Sequence, residues 1–236
     1  MKDGFIRVAA ATPDIHVADP QYNSEQIIEL MEQGSARGVK VMAFPELCLT
    51  AYTCSDLFLQ ESLLREAKKE LKRILQASKS KDMILFVGMP WMHKGKLYNV
   101  AAVLNRGRIL GIVPKKHLPN YSEFYELRHF NPGMEKVEMT DWEGVQVPMG
   151  MNLLFACRTM PELVLAAELC EDVWVPCPPS ISHALAGATV IANCSASDET
   201  TGKDQYRYNL ICGQSARLVC GYIYANAGEG ESSQDL

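Results

Sequence analysis

Leu163-Val-Leu-Ala-Ala-Glu-Leu-Cys-Glu-Asp-Val-Trp174 begins as a strand-like run and stops abruptly on Cys170. Two carboxylates, Glu171 and Asp172, follow at once. A thiol set beside charge at the end of a buried strand is an unusual choice for packing alone. Reading outward, Asn152–Cys157 is expected to be a neighbouring strand and residues 180–187 a helix. Thr189–Cys194 is then a strand ending at Ser195-Ala-Ser197, Lys203–Val219 a helix and Tyr222–Asn226 a strand. Residues 228–236 are small, polar and glycine-containing and read as flexible.

The N-terminal half alternates in the same way. Phe5–Thr12 reads as a strand, followed by a polar loop and a helix capped by Asn23 or Ser24. Gly34 and Gly38 mark that helix's end, and Val39–Phe44 is a continuous apolar run of the kind buried on both faces. Residues 62–77 carry an amphipathic helical pattern. Met83–Met89 is a strand ended by Pro90, and the strands Leu97–Leu104 and Arg108–Val113 flank an Asn105-Arg-Gly107 turn. Residues 119–150 read as a loop. The order predicts an α/β fold with a mixed sheet, in one domain over residues 1–236.

Composition narrows the function. The 236 residues are 47% hydrophobic, enough for one substantial core. A net charge of −5 and the absence of a basic block leave no footprint for nucleic acid. No apolar run approaches the roughly 18 residues of a membrane span. The charged N-terminus does not read as a signal peptide, so a cytoplasmic location is expected. The eight cysteines lack Cys-x-x-Cys spacing, so no metal site is expected and most should be buried apolar side chains.

Three reactive residues hold equivalent places. Glu46 follows the strand 39–44, Lys115 the strand 108–113, and Cys170 the strand 163–169. Open α/β sheets gather their chemistry at strand carboxyl ends. If these ends meet, a carboxylate, an ammonium and a thiol share one pocket. The lysine would favour a thiolate, the carboxylate would take its proton, and an amide or nitrile carbon would be attacked. Taken singly, each has a plain structural reading: a packed cysteine, a glutamate beside a helix start, a solvated lysine pair. Spacing alone does not choose between them.

The segments Ala43-Phe-Pro-Glu46, Pro114-Lys-x-His-Leu118 and Glu168-Leu-Cys-Glu-Asp172 resemble, in order, the three signatures of the nitrilase (carbon–nitrogen hydrolase) superfamily. Lys115-Lys-His-Leu-Pro-Asn-Tyr-Ser-Glu-Phe-Tyr-Glu126, Val173-Trp-Val-Pro176 and Asn193-Cys-Ser-Ala-Ser197 are similar to the glutaminase domains of glutamine-dependent NAD(+) synthetases. The resemblance implies a four-layer α-β-β-α sandwich that forms homo-oligomers. It implies Glu46 as general base, Lys115 as oxyanion stabiliser and proton donor, and Cys170 as nucleophile forming a glutamyl thioester. It places Tyr52, Tyr121, Phe124, Glu171, Ser197 and Lys203 around the substrate, glutamine.

No cofactor is implied for amide cleavage. ATP and magnesium belong to a C-terminal synthetase domain that would amidate deamido-NAD with the released ammonia. This sequence carries no Ser-Gly-Gly-x-Asp-Ser pyrophosphate loop, so the ATP-dependent domain is expected to be absent; the sequence ends at Leu236, where the resemblance implies further strands, so the glutaminase domain is expected to be truncated at its C-terminal end. The competing expectations are a stand-alone amidase acting on another ω-amide or carbamoyl compound, and a non-enzymatic assembly or tunnel module.

Overall fold

The computed structural model describes residues 4–231. Its first sheet has the order β1-β2-β3-β4-β5-β7-β6 and its second the order β11-β10-β9-β8. In the first sheet, β1 (Arg7–Ala10), β2 (Val39–Ala43) and β3 (Ile84–His93) run parallel. β4 (Lys96–Asn105) and β5 (Arg108–Pro114) continue it as antiparallel hairpins. β6 (Glu138–Trp142) and β7 (Val145–Met149) close it, with β7 parallel to β5. In the second sheet, β9 (Val164–Leu169), β10 (Val190–Cys194) and β11 (Gly221–Ala225) are parallel, and the short β8 (Phe155–Ala156) is antiparallel.

Alternation along each strand decides which layer a side chain joins. Val41, Ala43, Phe86, Ala101, Val103 and Val113 point toward Leu165, Ala167, Leu169, Ala192, Cys194 and Ile223, making a core between the sheets. The intervening Met42, Leu85, Val87, Ala102 and Leu104 pack on Ile27, Met31, Leu71 and Ile74. Those four belong to α1 (Pro20–Ala36) and α2 (Glu61–Ser78). On the far side, Ala166 and Ile191 meet α4 (Pro179–Leu185) and α5 (Lys203–Leu218) through Ala184 and Leu218. The result is the four-layer α-β-β-α sandwich. Strands covered on both faces explain why the apolar runs are continuous.

Several local expectations are corrected. α1 begins at Pro20, because Asp19 caps it through Tyr22 N and proline suits a first helical turn. β3 continues through Pro90, which pairs with Asn99. β2 ends its pairing at Phe86, so at Pro90 the strand has a neighbour on one side only and the missing N–H is tolerated. The supposed loop 119–150 contains α3 (Glu126–His129) and the β6–β7 hairpin. That hairpin turns on Glu143 and Gly144, both at positive φ. Strand 152–157 shrinks to β8, and the first strand begins at Arg7. The terminal stretch is not loose where it is described. Glu231 is buried and accepts a hydrogen bond from Thr53 N at 3.0 Å. Residues 232–236 lie outside the described residues.

Candidate active site

The carboxyl ends of β2, β5, β9 and β10 converge. Glu46 leaves β2 on a turn that lies directly on Gly88 of β3. A Cβ at Gly88 would stand 2.2 Å from the Pro45 carbonyl oxygen, so only glycine admits this approach. The loop after β10 meets the same turn: Glu46 N donates to Ser195 O at 3.2 Å, and Ala196 N donates to Glu46 Oε2 at 3.1 Å.

Lys115 follows β5, its N–H bonded to Asn99 O of β4 at 2.9 Å. Its side chain is 0% exposed, and its ammonium lies 2.6 Å from Glu46 Oε1 and 2.5 Å from Glu126 Oε1. Asn99 Nδ2 donates to Glu46 Oε1 at 2.6 Å, and the Tyr52 hydroxyl to Glu126 Oε1 at 2.8 Å. Cys170 ends β9 in a short 3-10 turn, Cys170–Val173, with φ of 39° and 5% exposure. Asp172 accepts from Leu169 N at 3.1 Å and from His117 N at 2.8 Å, tying the Cys170 turn to the loop after Lys115.

Burial dominates the electrostatics. It pushes the Glu46 carboxyl up to about 7, although the neighbouring ammonium pulls the other way. Burial also disfavours the Lys115 ammonium, but the Glu126 and Glu46 carboxylates outweigh it and hold the lysine above its ordinary value. The Cys170 thiol is driven up by burial and then by the Glu46 charge, with Lys115 only partly opposing. Lys115 favours the thiolate as expected, but burial and the Glu46 charge outweigh it and shift the balance toward the thiol. Beside it stands a carboxylate of raised basicity, the pairing needed for deprotonation during attack.

The remaining sequence candidates form two groups. Tyr52, Phe124 and Tyr121 make an edge-to-face row, with centroids 6.2 Å and 5.8 Å apart. The Tyr121 hydroxyl donates to Glu171 Oε2 at 2.9 Å, and burial raises the Glu171 carboxyl. Across from them, Ser197 is buried and exchanges backbone hydrogen bonds with the Asn226 side chain. Lys203 pairs with Asp198 and lies 5.2 Å from the Trp174 ring centre, so its ammonium is engaged away from the Glu46–Lys115 cluster. Sequence reasoning missed Glu126 and Asn99 as members of the cluster. The available signal was an amide in the middle of an otherwise apolar strand, Leu97–Leu104. Among the described residues no group of three or more histidine, cysteine, aspartate or glutamate side chains is arranged to hold a metal, and no helix is long and apolar enough to cross a membrane.

The sequence model of the carbon-nitrogen hydrolase family matches residues 7–228. The glutamine-dependent NAD(+) synthetase of Mycobacterium tuberculosis is 42% identical over 233 residues, covering 99% of this chain and 34% of that protein. The enzyme of the same name from Aquifex aeolicus is 31% identical over 227 residues, covering 96% of this chain and 36% of that protein. The crystal structure of a glutamine-dependent NAD(+) synthetase from Cytophaga hutchinsonii superposes with a TM-score of 0.85 at 29% identity, over 95% of this chain and 36% of that one. An amidase from Nesterenkonia sp. shares the fold, with a TM-score of 0.74 at 19% identity over 98% of this chain. The chain thus spans about a third of the length of the NAD(+) synthetases it matches.

Proposed function

Since the chain belongs to the carbon–nitrogen hydrolase family, we propose that it is a cysteine amidohydrolase that releases ammonia from the side-chain amide of glutamine. The carrying observation is the buried Glu46–Lys115–Glu126 cluster gathered against Cys170 at the meeting of strand ends. As the Cys170 sulfur attacks the carboxamide carbon, Glu46 takes the thiol proton. The Lys115 ammonium stabilises the oxyanion. The proton passes to the departing nitrogen, ammonia leaves, and a glutamyl thioester remains. Water, deprotonated by Glu46, then attacks the thioester and frees glutamate and the thiol.

The α-ammonium and α-carboxylate of the substrate need polar partners. Glu171, Tyr121 and Ser197 supply candidates, and the ring of Phe124 is the candidate cover for the methylenes. Lys203 has three donors, so in this reading it can keep Asp198 and offer another N–H to the substrate carboxylate. The relatives' names support the further proposal that the ammonia serves a C-terminal synthetase domain of the same polypeptide, which amidates deamido-NAD with ATP and magnesium. Assembly into homo-oligomers belongs to the same proposal.

Ammonia release from glutamine by wild type and Cys170→Ala tests the reading. The substituted protein is expected to lose at least about 10³-fold, and an acid-quenched wild-type reaction to carry a glutamyl adduct on Cys170 by mass spectrometry. Undiminished ammonia release by Cys170→Ala, or an adduct on another of the eight cysteines, would overturn it.

A further inference from the structure

The layer between the second sheet and its helices is apolar over most of its extent, with Ala166, Ala188, Ile191 and Cys220 in contact. At the carboxyl end of the strands it turns polar. Glu168 of β9 and Asn193 of β10 stand side by side in register, both essentially buried, and Tyr222 of β11 completes the group. Each pairing is satisfied in one direction. Glu168 Oε2 accepts from Ser180 N at 2.8 Å, and its Oε1 accepts from the Tyr222 hydroxyl. The Tyr222 oxygen accepts from Asn193 Nδ2 at 3.1 Å. Asn193 Oδ1 is thereby turned toward the nucleophile, where it accepts from Cys170 N at 3.1 Å and from Ser195 Oγ at 2.8 Å.

We propose that Asn193, oriented by Tyr222 and Glu168, is the positioning residue that holds the Cys170 backbone in its attack geometry; the inference rests on Cys170 being the nucleophile. Three observations bear on it. Buried polar groups are retained at a cost unless they are fully bonded, and this chain of three is bonded throughout and ends on the Cys170 and Ser195 donors. Cys170 occupies a left-handed backbone conformation that non-glycine residues seldom adopt without support from their surroundings. Rotation about its N–Cα bond swings the sulfur relative to a fixed N–H, so a held N–H sets where Sγ lies with respect to Glu46. Asn193 also consumes the Cys170 N–H, leaving the oxyanion to Lys115 and other donors.

The test uses Asn193→Ala, Asn193→Asp and Tyr222→Phe in the whole chain. Two rates are measured for each folded variant: alkylation of Cys170 by iodoacetamide, followed by peptide mass spectrometry, and steady-state glutamine hydrolysis. A misplacement near 1 Å at a reacting centre costs about 10²-fold, and Asn193→Ala is expected to lose about that much in both alkylation rate and kcat, with KM within about threefold. Asn193→Asp keeps the acceptor for Cys170 N and is expected to lie between wild type and Asn193→Ala. Tyr222→Phe keeps the ring but frees the amide to rotate, and about a tenfold loss is expected. Alkylation within twofold of wild type in Asn193→Ala, or in Tyr222→Phe should the alanine variant not fold, overturns the proposal. So does an aspartate variant no faster than the alanine one. Alkylation needs no glutamine, so a wild type that labels at Cys170 but releases no ammonia refutes the substrate assignment and leaves the positioning test intact.

Discussion

Glu46 is 2.6 Å from a lysine ammonium and still sits at about 7, because a fully buried carboxylate loses more in solvation than one shared cation returns. Lys115 divides its charge between Glu46 and Glu126, and the second carboxylate raises the first. A general base must be deprotonated to act, so kcat/KM for glutamine is expected to rise with pH through about 7. Glu46→Gln should remove that limb and lower kcat by roughly 10² to 10⁴-fold, with a melting temperature no lower than that of wild type. A flat wild-type profile between pH 6 and 8 would remove Glu46 from the base role. Strand-end placement singled out Glu46, Lys115 and Cys170 in the sequence, and their roles came from the resemblance of the segments around them to the family's three signatures. Asn99 left only the signal of an amide in an apolar strand, and Glu126 left none, since nothing in the linear order brings it to Lys115 and to Asn99 Nδ2, which donates to it at 3.4 Å.

β3 shows how one element sets the site from outside it. Gly88 carries no chemistry, yet the turn bearing Glu46 rests on its Cα, and Leu49 N donates to its carbonyl at 3.2 Å. Gly88→Ala is expected to push the Pro45–Leu47 backbone outward. Overpacking of this kind costs about 1–3 kcal/mol, and displacement of the base should lower kcat far more than KM, checked by thermal melting together with steady-state kinetics. A variant with wild-type kcat would show that Glu46 is placed by the β10 loop alone. The elements with strong periodicity, α2 and the central strands, were readable directly. Pro90 was misread because a proline's meaning depends on which side of the strand has a partner. The β6–β7 hairpin was passed over as loop although Glu143-Gly144 turns it, because β6 mixes apolar with charged residues and β7 carries a glutamine and a proline.

Across the whole molecule, the last described segment returns to the site's outer wall. Glu231 Oε1 accepts from the backbone N–H groups of Tyr52 and Thr53, and its other oxygen is buried with no partner among the described residues. Burial pushes this carboxyl up to about 8 from an ordinary 4.5, so the folded chain holds a proton that the unfolded chain releases. Its stabilising contribution is full below about 4.5 and is lost as pH rises through about 8. Glu46 and Glu168, both near 7, act in the same direction but over a lower range. Glu231→Gln should therefore abolish most of the loss in melting temperature between pH 7 and 8, measured by thermal melts across that range; an unchanged slope would place the titration elsewhere. Here the division between sequence and fold is plain. Most strand and helix identities, the α/β class with a mixed sheet and three candidate residues at strand ends could be read along the chain, because burial on two faces, helical spacing and strand-end placement leave local patterns; the four-layer sandwich and the roles of those residues came from the resemblance of their segments to a family. Which face of each strand meets which layer, the sharing of Lys115 by two carboxylates, the upward push of burial on the Cys170 thiol and the hydrogen bond of Asn193 to Cys170 N could not. Those depend on distances between residues far apart in the chain and on the loss of water around them, and neither quantity exists until the two sheets have closed on each other.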